Sequence, residues 1–202
     1  MNEIVAKDLI NIKAVQIKTD SYFTWTSGIQ SPIYCDNRLT MSYPDVRKNI
    51  VRAFIEMIER LPVQPDVIAG CATAGIPHAA WLAEALNLPM VYVRSDRKSH
   101  GKQNQIEGQF NKGDTVLVIE DLISTGGSSI DAALALREEG AKVTDVLAIF
   151  SYGLKRASNN FQQANLNVQT ITSFDDMVQM LHNEGEISDT DKESLIKWRD
   201  EL

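Results

Sequence analysis

The sequence VLVIEDLISTGGSS at residues 116–129 decides the fold of this chain. Its four leading β-formers predict a buried strand, and Glu120 and Asp121 follow where that strand is expected to end. Small hydroxyl and glycine residues at 124–128 predict a turn, and the alanine-rich stretch 130–139 predicts a helix. A strand, a small-residue loop and a helix N-terminus form a phosphate cradle, because backbone N–H groups and the helix dipole both favour an anion.

The acidic pair indicates a second interaction beside the cradle. Carboxylates repel phosphate, so Glu120 and Asp121 are expected to face ribose hydroxyls, or a metal that bridges those hydroxyls and a second phosphate. A glycine-containing turn between a strand and a helix also occurs in α/β proteins that bind nothing there, so the argument depends on the whole order of features. The stretch is not a Walker loop, since no Gly-Lys-Ser/Thr ends it, and G-x-G-x-x-G is absent.

The composition limits the class of protein. A chain of 202 residues with 44% hydrophobic residues can bury the core of one domain. Its net charge of −7 argues against a nucleic-acid binder that relies on broad electrostatics. The two cysteines, Cys35 and Cys71, lie in unrelated contexts and predict a reduced, cytoplasmic protein. The N-terminal residues lack a signal-peptide pattern, and no apolar run reaches the roughly 18 residues that would predict a membrane span.

Segments typical of strands and of helices alternate from about residue 60 onward. This alternation predicts a parallel sheet covered by helices, and such sheets bind ligands at the carboxyl ends of their strands. The predicted strands lie within residues 67–72, 90–94, 116–121 and 143–152. The predicted helices cover residues 3–13, 44–59, 76–86 and 130–139, and the tail from residue 174 also has a helical pattern. Residues 14–38 hold further β-like pieces around turn signals.

The segment RSDRKSHGKQNQIEG at residues 94–108 is a long polar loop. Loops of this length inside a compact domain are usually functional or disordered. In an acidic chain its basic residues form a local patch for an anionic substrate, and Gly101 and Gly108 could serve as the hinges of a lid. The alternative is a solvated loop with chance charges. The basic residues are Arg94, Arg97, Lys98, His100 and Lys102.

Two further segments have both a functional and a structural interpretation. GCATAGIP at residues 70–77 is either a second anion-binding loop or a tight strand–helix connection. FTWTSGIQSPIYCDNR at residues 23–38 is an aromatic hairpin, and side chains such as Tyr34 could simply pack there.

Together these segments resemble the type I phosphoribosyltransferases. The order of strand, Glu120-Asp121, hydroxyl-rich loop and helix is similar to that family's signature for 5-phosphoribosyl 1-pyrophosphate (PRPP). Residues 23–38 look like the N-terminal signature of the orotate phosphoribosyltransferases, and residues 94–101 look like their mobile catalytic loop. The resemblance implies an α/β protein with the type I phosphoribosyltransferase fold, a central parallel sheet flanked by helices.

The resemblance also implies an organisation and an activity. Residues 1–202 would form a single domain, with a small β-containing hood of residues 1–40 plus the C-terminal segment, over a PRPP-binding core of residues 60–152. The reaction would transfer the phosphoribosyl group of PRPP to orotate, giving orotidine 5′-monophosphate and pyrophosphate in pyrimidine biosynthesis, with Mg²⁺. The protein would be a homodimer with shared active sites, and neither nucleic acid nor a membrane would be a partner.

The resemblance assigns roles to individual residues. Ser124 and Tyr34 would bind orotate, and Thr73 and Ala74 would belong to the pyrophosphate loop. Mg²⁺ would be held mainly by PRPP, with Asp121 as the one candidate protein ligand. The residues implied in catalysis are Lys98, Asp121, Arg94 and His100. The residues implied in PRPP binding are Glu120, Asp121, Leu122, Ile123, Ser124, Thr125, Gly126, Gly127 and Ser128.

The chain departs from the family pattern at four positions. Many relatives carry lysine where this chain has Thr26, Ala74 and Ser95, and some place an arginine for the orotate carboxylate near Tyr152. Charge for the pyrophosphate would then come mainly from the long basic loop. Three other functions stay open: a phosphoribosyltransferase for a purine base, a PRPP-sensing regulator of nucleic acid, and a kinase similar to PRPP synthetase.

Overall fold

The computed structural model describes residues 2–24, 28, 30–95 and 105–202. A six-stranded sheet forms its centre, in the order β10-β9-β8-β5-β6-β7. All neighbouring strands are parallel except β7, which pairs antiparallel with β6 at one edge. The strands are β5 Val67–Cys71, β6 Met90–Val93, β7 Ile106–Glu107, β8 Val116–Ile123, β9 Asp145–Ser151 and β10 Asn167–Ser173.

The sheet is covered on both faces, which explains why its strands read as continuous apolar runs. Along β8, Val116 and Val118 face one apolar cluster, whereas Leu117 and Ile119 face the other. The helices divide between these two clusters. Helices α1 Asn2–Asn11, α2 Pro44–Ile58, α3 Gly75–Leu86, α6 Phe174–Asn183 and α7 Asp189–Asp200 contribute to the first cluster. Helices α4 Gly127–Glu138 and α5 Lys155–Gln163 contribute to the second cluster.

The N-terminal region adds small strands beside this sheet. Strand β1 pairs antiparallel with β4, and β2 pairs antiparallel with β3. The indole Nε1 of Trp198, on α7, donates to the backbone oxygen of Gln30 at 3.1 Å, so the last helix contacts this hairpin. The elements are β1 Val15–Ile17, β2 Phe23–Thr24, β3 Gln30–Ser31, β4 Ile33–Cys35 and a 3-10 helix over Asn37–Ser42.

Several predicted elements differ from the structure in their limits. Strand β8 continues to Ile123, where it still pairs with Ser151, so the acidic pair lies inside the strand rather than after it. Helix α4 begins at Gly127, not near residue 130, because Gly126 in the left-handed conformation turns the chain first. The predicted loop 94–108 was also wrong at its end, because Ile106 and Glu107 form the edge strand β7.

Two elements, α5 and β10, were missed altogether. Helix α5 buries only Ala157 and Phe161, which is too sparse an apolar pattern to predict a helix from the sequence. Strand β10 has an alternating pattern because it lies at the sheet edge. In the described part of the chain, no helix is both long and apolar enough to cross a membrane.

Candidate active site

The small-residue loops meet where the parallel strands end. Strand β5 leads into the loop 72–74, β6 leads into the basic segment, and β8 leads into the loop 124–126. Because these strands are neighbours and run in the same direction, their carboxyl ends lie along one edge of the sheet. The sheet order thus brings together three segments that the sequence separates by up to about 50 residues.

The acidic pair lies between these loops, in the last part of β8. Glu120 is only 7% exposed, and the backbone N–H of Asp121 donates to its Oε1 at 3.0 Å. Burial raises the pKa of Glu120, and the neighbouring Asp121 raises it further. Burial likewise raises the pKa of Asp121. Two partly desolvated carboxyl groups side by side attract a cation or hydroxyl donors, which would relieve both effects.

The thiol of Cys71 lies against this pair at the end of β5. Burial raises the pKa of Cys71 well above its usual range, and the Glu120 carboxylate raises it further. Cys71 therefore stays a neutral thiol that can donate a weak hydrogen bond to Glu120, rather than a nucleophilic thiolate.

Helix α5, which the sequence did not predict, packs against the cradle loop, residues 124–126. Gly126 has φ +82°, and a Cβ at this residue would lie 2.6 Å from the Phe161 ring. The side-chain Nδ2 of Asn160 donates to the backbone oxygen of Thr125 at 2.9 Å. Beyond the loop, Gly127 and Ser128 are exposed in the first turn of α4, whose backbone N–H groups have no intrahelical partner.

The predicted residues of the cradle therefore differ in what they can contact. Ser124 and Thr125 are half-buried in the loop, and Leu122 is half-buried at the end of the strand. Ile123 is 2% exposed and packs in the core, so its side chain cannot reach a ligand.

The loop 72–74 and the first residue of α3 pack against β8, the strand that carries the acidic pair. A Cβ at Gly75 would lie 2.5 Å from the backbone oxygen of Ile119 and 3.3 Å from the Cα of Glu120. Only glycine allows this approach. Thr73 is exposed and Ala74 precedes α3, with a cis peptide bond between Ala72 and Thr73. The close packing of Gly75 on β8 places the N-terminus of α3 beside Glu120.

Arg94 lies at the base of the basic segment. Its backbone N–H donates to the oxygen of Gln105 at 2.9 Å, and Nε2 of Gln105 donates back to the oxygen of Arg94 at 2.9 Å. Its guanidinium lies 3.6 Å from the Glu107 carboxylate. The other basic residues of this segment lie outside the described residues, and so does Thr26 of the hairpin. Among them are Arg97, Lys98, His100 and Lys102.

Aromatic side chains of β4 and of the segment after β9 lie on the side of the acidic pair. Tyr34 is 40% exposed and packs against Phe23, with ring centroids 5.8 Å apart. Tyr152 is buried, and its backbone N–H donates to the oxygen of Ile123 at 3.1 Å. Burial raises the pKa of Tyr152, and Asp121 is among the acidic groups that add to this.

Arg38 is a functional candidate that the sequence reasoning missed. Its guanidinium forms a fork on Asp36, at 2.6 and 2.9 Å, and its charge partly offsets the rise in the pKa of Asp121 that burial causes. The only sequence signal was its place at the end of the hairpin motif. Asn160 and Asn37 were also missed, because their contacts with the loop and with β8 come from elements distant in the chain.

Comparison with known proteins identifies the class. Residues 42–176 match the family model of the phosphoribosyl transferase domain. By family and fold, the chain is therefore a phosphoribosyltransferase.

Full-length relatives narrow this class. The orotate phosphoribosyltransferase of Oceanobacillus iheyensis is 61% identical over 202 residues, covering 100% of both chains. That of Staphylococcus saprophyticus is 54% identical, again over 100% of both chains. The crystal structure of orotate phosphoribosyltransferase from Aeropyrum pernix superposes with a TM-score of 0.76 at 28% identity, covering 91% of this chain and 99% of that one. The chain belongs to the orotate phosphoribosyltransferase family.

These findings confirm the predicted family, the predicted fold class and, at the level of the family, the predicted function. The roles of the individual site residues stay predictions, as does the division into hood and core.

Proposed function

We propose that this protein transfers the 5-phosphoribosyl group of PRPP to orotate, giving orotidine 5′-monophosphate and pyrophosphate. One observation carries the proposal: the buried Glu120 and the half-buried Asp121 lie between two small-residue loops at the ends of adjacent strands. PRPP has the matching chemistry, with one anionic group at each end of a ribose that carries two hydroxyls.

The parts of the site then bind different groups of the two substrates, with Ser124 adjoining both the 5′-phosphate and orotate. Loop 124–126 and the first turn of α4 bind the 5′-phosphate through backbone N–H groups and hydroxyls. The acidic pair binds the ribose 2′ and 3′ hydroxyls. Thr73 and Ala74 lie beside the pyrophosphate, whose charge is balanced by Arg94, Lys98 and His100. Ser124 and Tyr34 contact orotate, near Arg38.

The chemical step requires no protein nucleophile. The bond from C1′ to pyrophosphate breaks through an oxocarbenium-like state, and N1 of orotate supplies the electron pair of the new bond. The protein contributes positioning and electrostatic stabilisation of the charge that builds on the leaving pyrophosphate. Closure of the basic segment over the site would exclude water, which would otherwise hydrolyse PRPP.

The acidic pair also fits a requirement for Mg²⁺. Two adjacent, partly desolvated carboxyl groups are hard oxygen donors of the kind that Mg²⁺ prefers. Within the described ranges there is no group of three or more acidic, histidine or cysteine side chains that could hold a metal. Asp121 and Glu120 would therefore hold Mg²⁺ only together with PRPP oxygens. When bound, the ion neutralises charge on the pyrophosphate.

A homodimer with shared active sites and a cytoplasmic location complete the proposal. The dimer follows from the family resemblance, and exposed apolar side chains on and beside the 3-10 helix offer a surface for it. Leu39, Met41 and Tyr43 are each about 40% exposed. Both cysteines are free thiols, which suits a reducing compartment.

One assay tests the reaction directly. The absorbance of orotate should fall when PRPP and Mg²⁺ are added to the enzyme, and should stay constant without PRPP. A panel of bases with labelled PRPP separates orotate from purine bases. Turnover of adenine or hypoxanthine but not orotate would overturn the proposal, and nucleic-acid binding without any turnover would favour a regulator.

A further inference from the structure

Beyond Ile119, the backbone of β8 needs hydrogen-bond partners that the neighbouring strand β5 does not supply. The pairing of β8 with β5 ends at Ile119, so the acidic pair lies beyond the paired part of β5. Backbone groups in such an extension need other hydrogen-bond partners. The side-chain Nδ2 of Asn37 donates to the backbone oxygen of Asp121 at 2.7 Å, across 84 positions of sequence.

We propose that Asn37 is a positioning residue for the Glu120–Asp121 pair, and that Thr40 and His78 hold Asn37 in place. The proposal rests on the function proposed above. Asn37 touches neither substrate in this scheme and acts through the backbone of Asp121.

The orientation of the Asn37 amide is fixed by its partner. A backbone oxygen only accepts hydrogen bonds, so the NH₂ group of Asn37 must face Asp121. The other end of the amide, Oδ1, is buried and has no hydrogen-bond partner within the described part of the chain. A buried acceptor without a partner is unfavourable. The chain keeps an amide here, where a shorter or apolar side chain would avoid that cost.

Thr40 and His78 form a directional chain behind Asn37. The Thr40 hydroxyl donates to the backbone oxygen of Asn37 at 2.5 Å, which uses its single proton. The contact of 3.3 Å between Thr40 Oγ1 and His78 Nε2 therefore requires Nε2–H of His78 to donate. This assigns the neutral tautomer with its proton on Nε2, and it leaves Nδ1 as an acceptor with no hydrogen-bond partner among the described residues.

These hydrogen bonds connect the N-terminal turn of α3 to the acidic pair on β8. His78 lies in the first turn of α3, three residues after Gly75, which packs against Ile119 and Glu120. The 3-10 helix carries Asn37 and Thr40, and β8 carries the acidic pair. All three polar side chains are at most 1% exposed. The position of the helix behind the pyrophosphate loop is thereby linked to the position of the carboxylates.

A set of matched variants tests this inference. Asn37→Leu keeps the approximate size but removes the donor, and we expect kcat to fall about tenfold or more, since misplacement of a catalytic group by about 1 Å can cost 10²-fold. The KM for PRPP should change much less, because the phosphate cradle is untouched. Asn49→Leu is the matched control, as Asn49 donates to Asp8 at 2.8 Å between α1 and α2, away from the site. This control should lose stability while keeping kcat.

Two further variants separate positioning from a general structural role. His78→Gln retains a donor near Nε2 and should recover most of the kcat that His78→Leu loses. Thr40→Val should lower kcat alone but add little in the Asn37→Leu background, because it acts through Asn37. A wild-type kcat for Asn37→Leu, or losses of kcat that are fully additive and track melting temperature, would overturn the inference. Lack of orotate turnover by the wild-type protein would instead refute the proposed function, and the kcat of the same variants with whichever base the panel shows to be turned over would then decide whether Asn37 positions the pair.

Discussion

Gly126 lies directly over the ring of Phe161, so close that a methyl group at residue 126 would overlap it at 2.6 Å. The cradle loop therefore rests on α5, and Asn160, the residue before Phe161, also holds the loop by its hydrogen bond to Thr125. These two contacts favour the folded shape of the loop in the absence of phosphate, and a preformed loop loses less entropy on binding.

Gly126→Ala should weaken PRPP binding and lower the free energy of unfolding. The left-handed backbone costs a non-glycine residue about 1–2 kcal/mol, and the overlap with Phe161 adds to this. PRPP affinity, measured by calorimetry, should fall about tenfold, or about 1.4 kcal/mol. Gly113→Ala is the matched control, since Gly113 has φ +92° and no atom of the described residues lies within 4 Å of its Cβ position. Equal losses of stability in the two variants, with PRPP affinity unchanged, would contradict the prediction.

Asp121→Asn should lower the rate without unfolding the protein. The amide keeps the size of the side chain but removes a charge from a buried acidic pair, so the ligand-free protein should be as stable as the wild type or more so. We expect a loss of about 10²-fold in kcat/KM, or about 2.7 kcal/mol of transition-state stabilisation. Steady-state kinetics at several Mg²⁺ concentrations checks this. Near wild-type turnover with an unchanged Mg²⁺ requirement would refute the role of Asp121.

Because of His78, the free energy of unfolding should decrease as the pH falls below 7. Burial lowers the pKa of His78 from 6.5 to about 4. The unfolded chain therefore binds this proton more readily than the folded one, and stability is lost as the pH falls from the unfolded pKa toward the folded pKa. Between about pH 7 and pH 4.5 the loss should be about 2–3 kcal/mol relative to His78→Gln, measured by chemical denaturation.

Thr40→Val is the control for that measurement. It removes the hydrogen-bond partner of His78 but leaves the imidazole buried, and burial is the cause of the lowered pKa. The pH dependence should persist in Thr40→Val and diminish in His78→Gln. The same pH dependence in all three proteins would show that another group titrates.

Two inactive variants should complement each other if the active site is shared. Lys98→Ala alters the basic segment and Asp121→Asn alters the cradle. In a heterodimer with shared sites, one site receives both changes and the other receives neither. A fully exchanged equal mixture contains half heterodimers, so about a quarter of wild-type activity should return, by the symmetry of a closed dimer. An inactive mixture, with subunit exchange verified by mass spectrometry, would place Lys98 in its own subunit's site.

The sequence predicted the parts of the site that are local in the chain. The apolar run of β8, the acidic pair and the small loop occupy consecutive residues, and their physical preferences agree with the final fold. The limits of β8 were wrong because the pairing with β9 extends the strand, and pairing is a tertiary property. Asn37, Asn160 and Arg38 could not be predicted, because each acts on a segment that lies distant in the sequence.

The contact between Trp198 and Gln30 has a consequence for biosynthesis. The two residues are 168 positions apart, and the indole is a partner of the hairpin that begins the chain's orotate signature. A ribosome adds about 5–20 residues per second, so the hairpin waits about ten seconds or more for α7 to emerge. Until then a nascent chain can complete its central sheet but lacks this hydrogen bond, so the hairpin gains its partner on α7 only after Trp198 has left the ribosome.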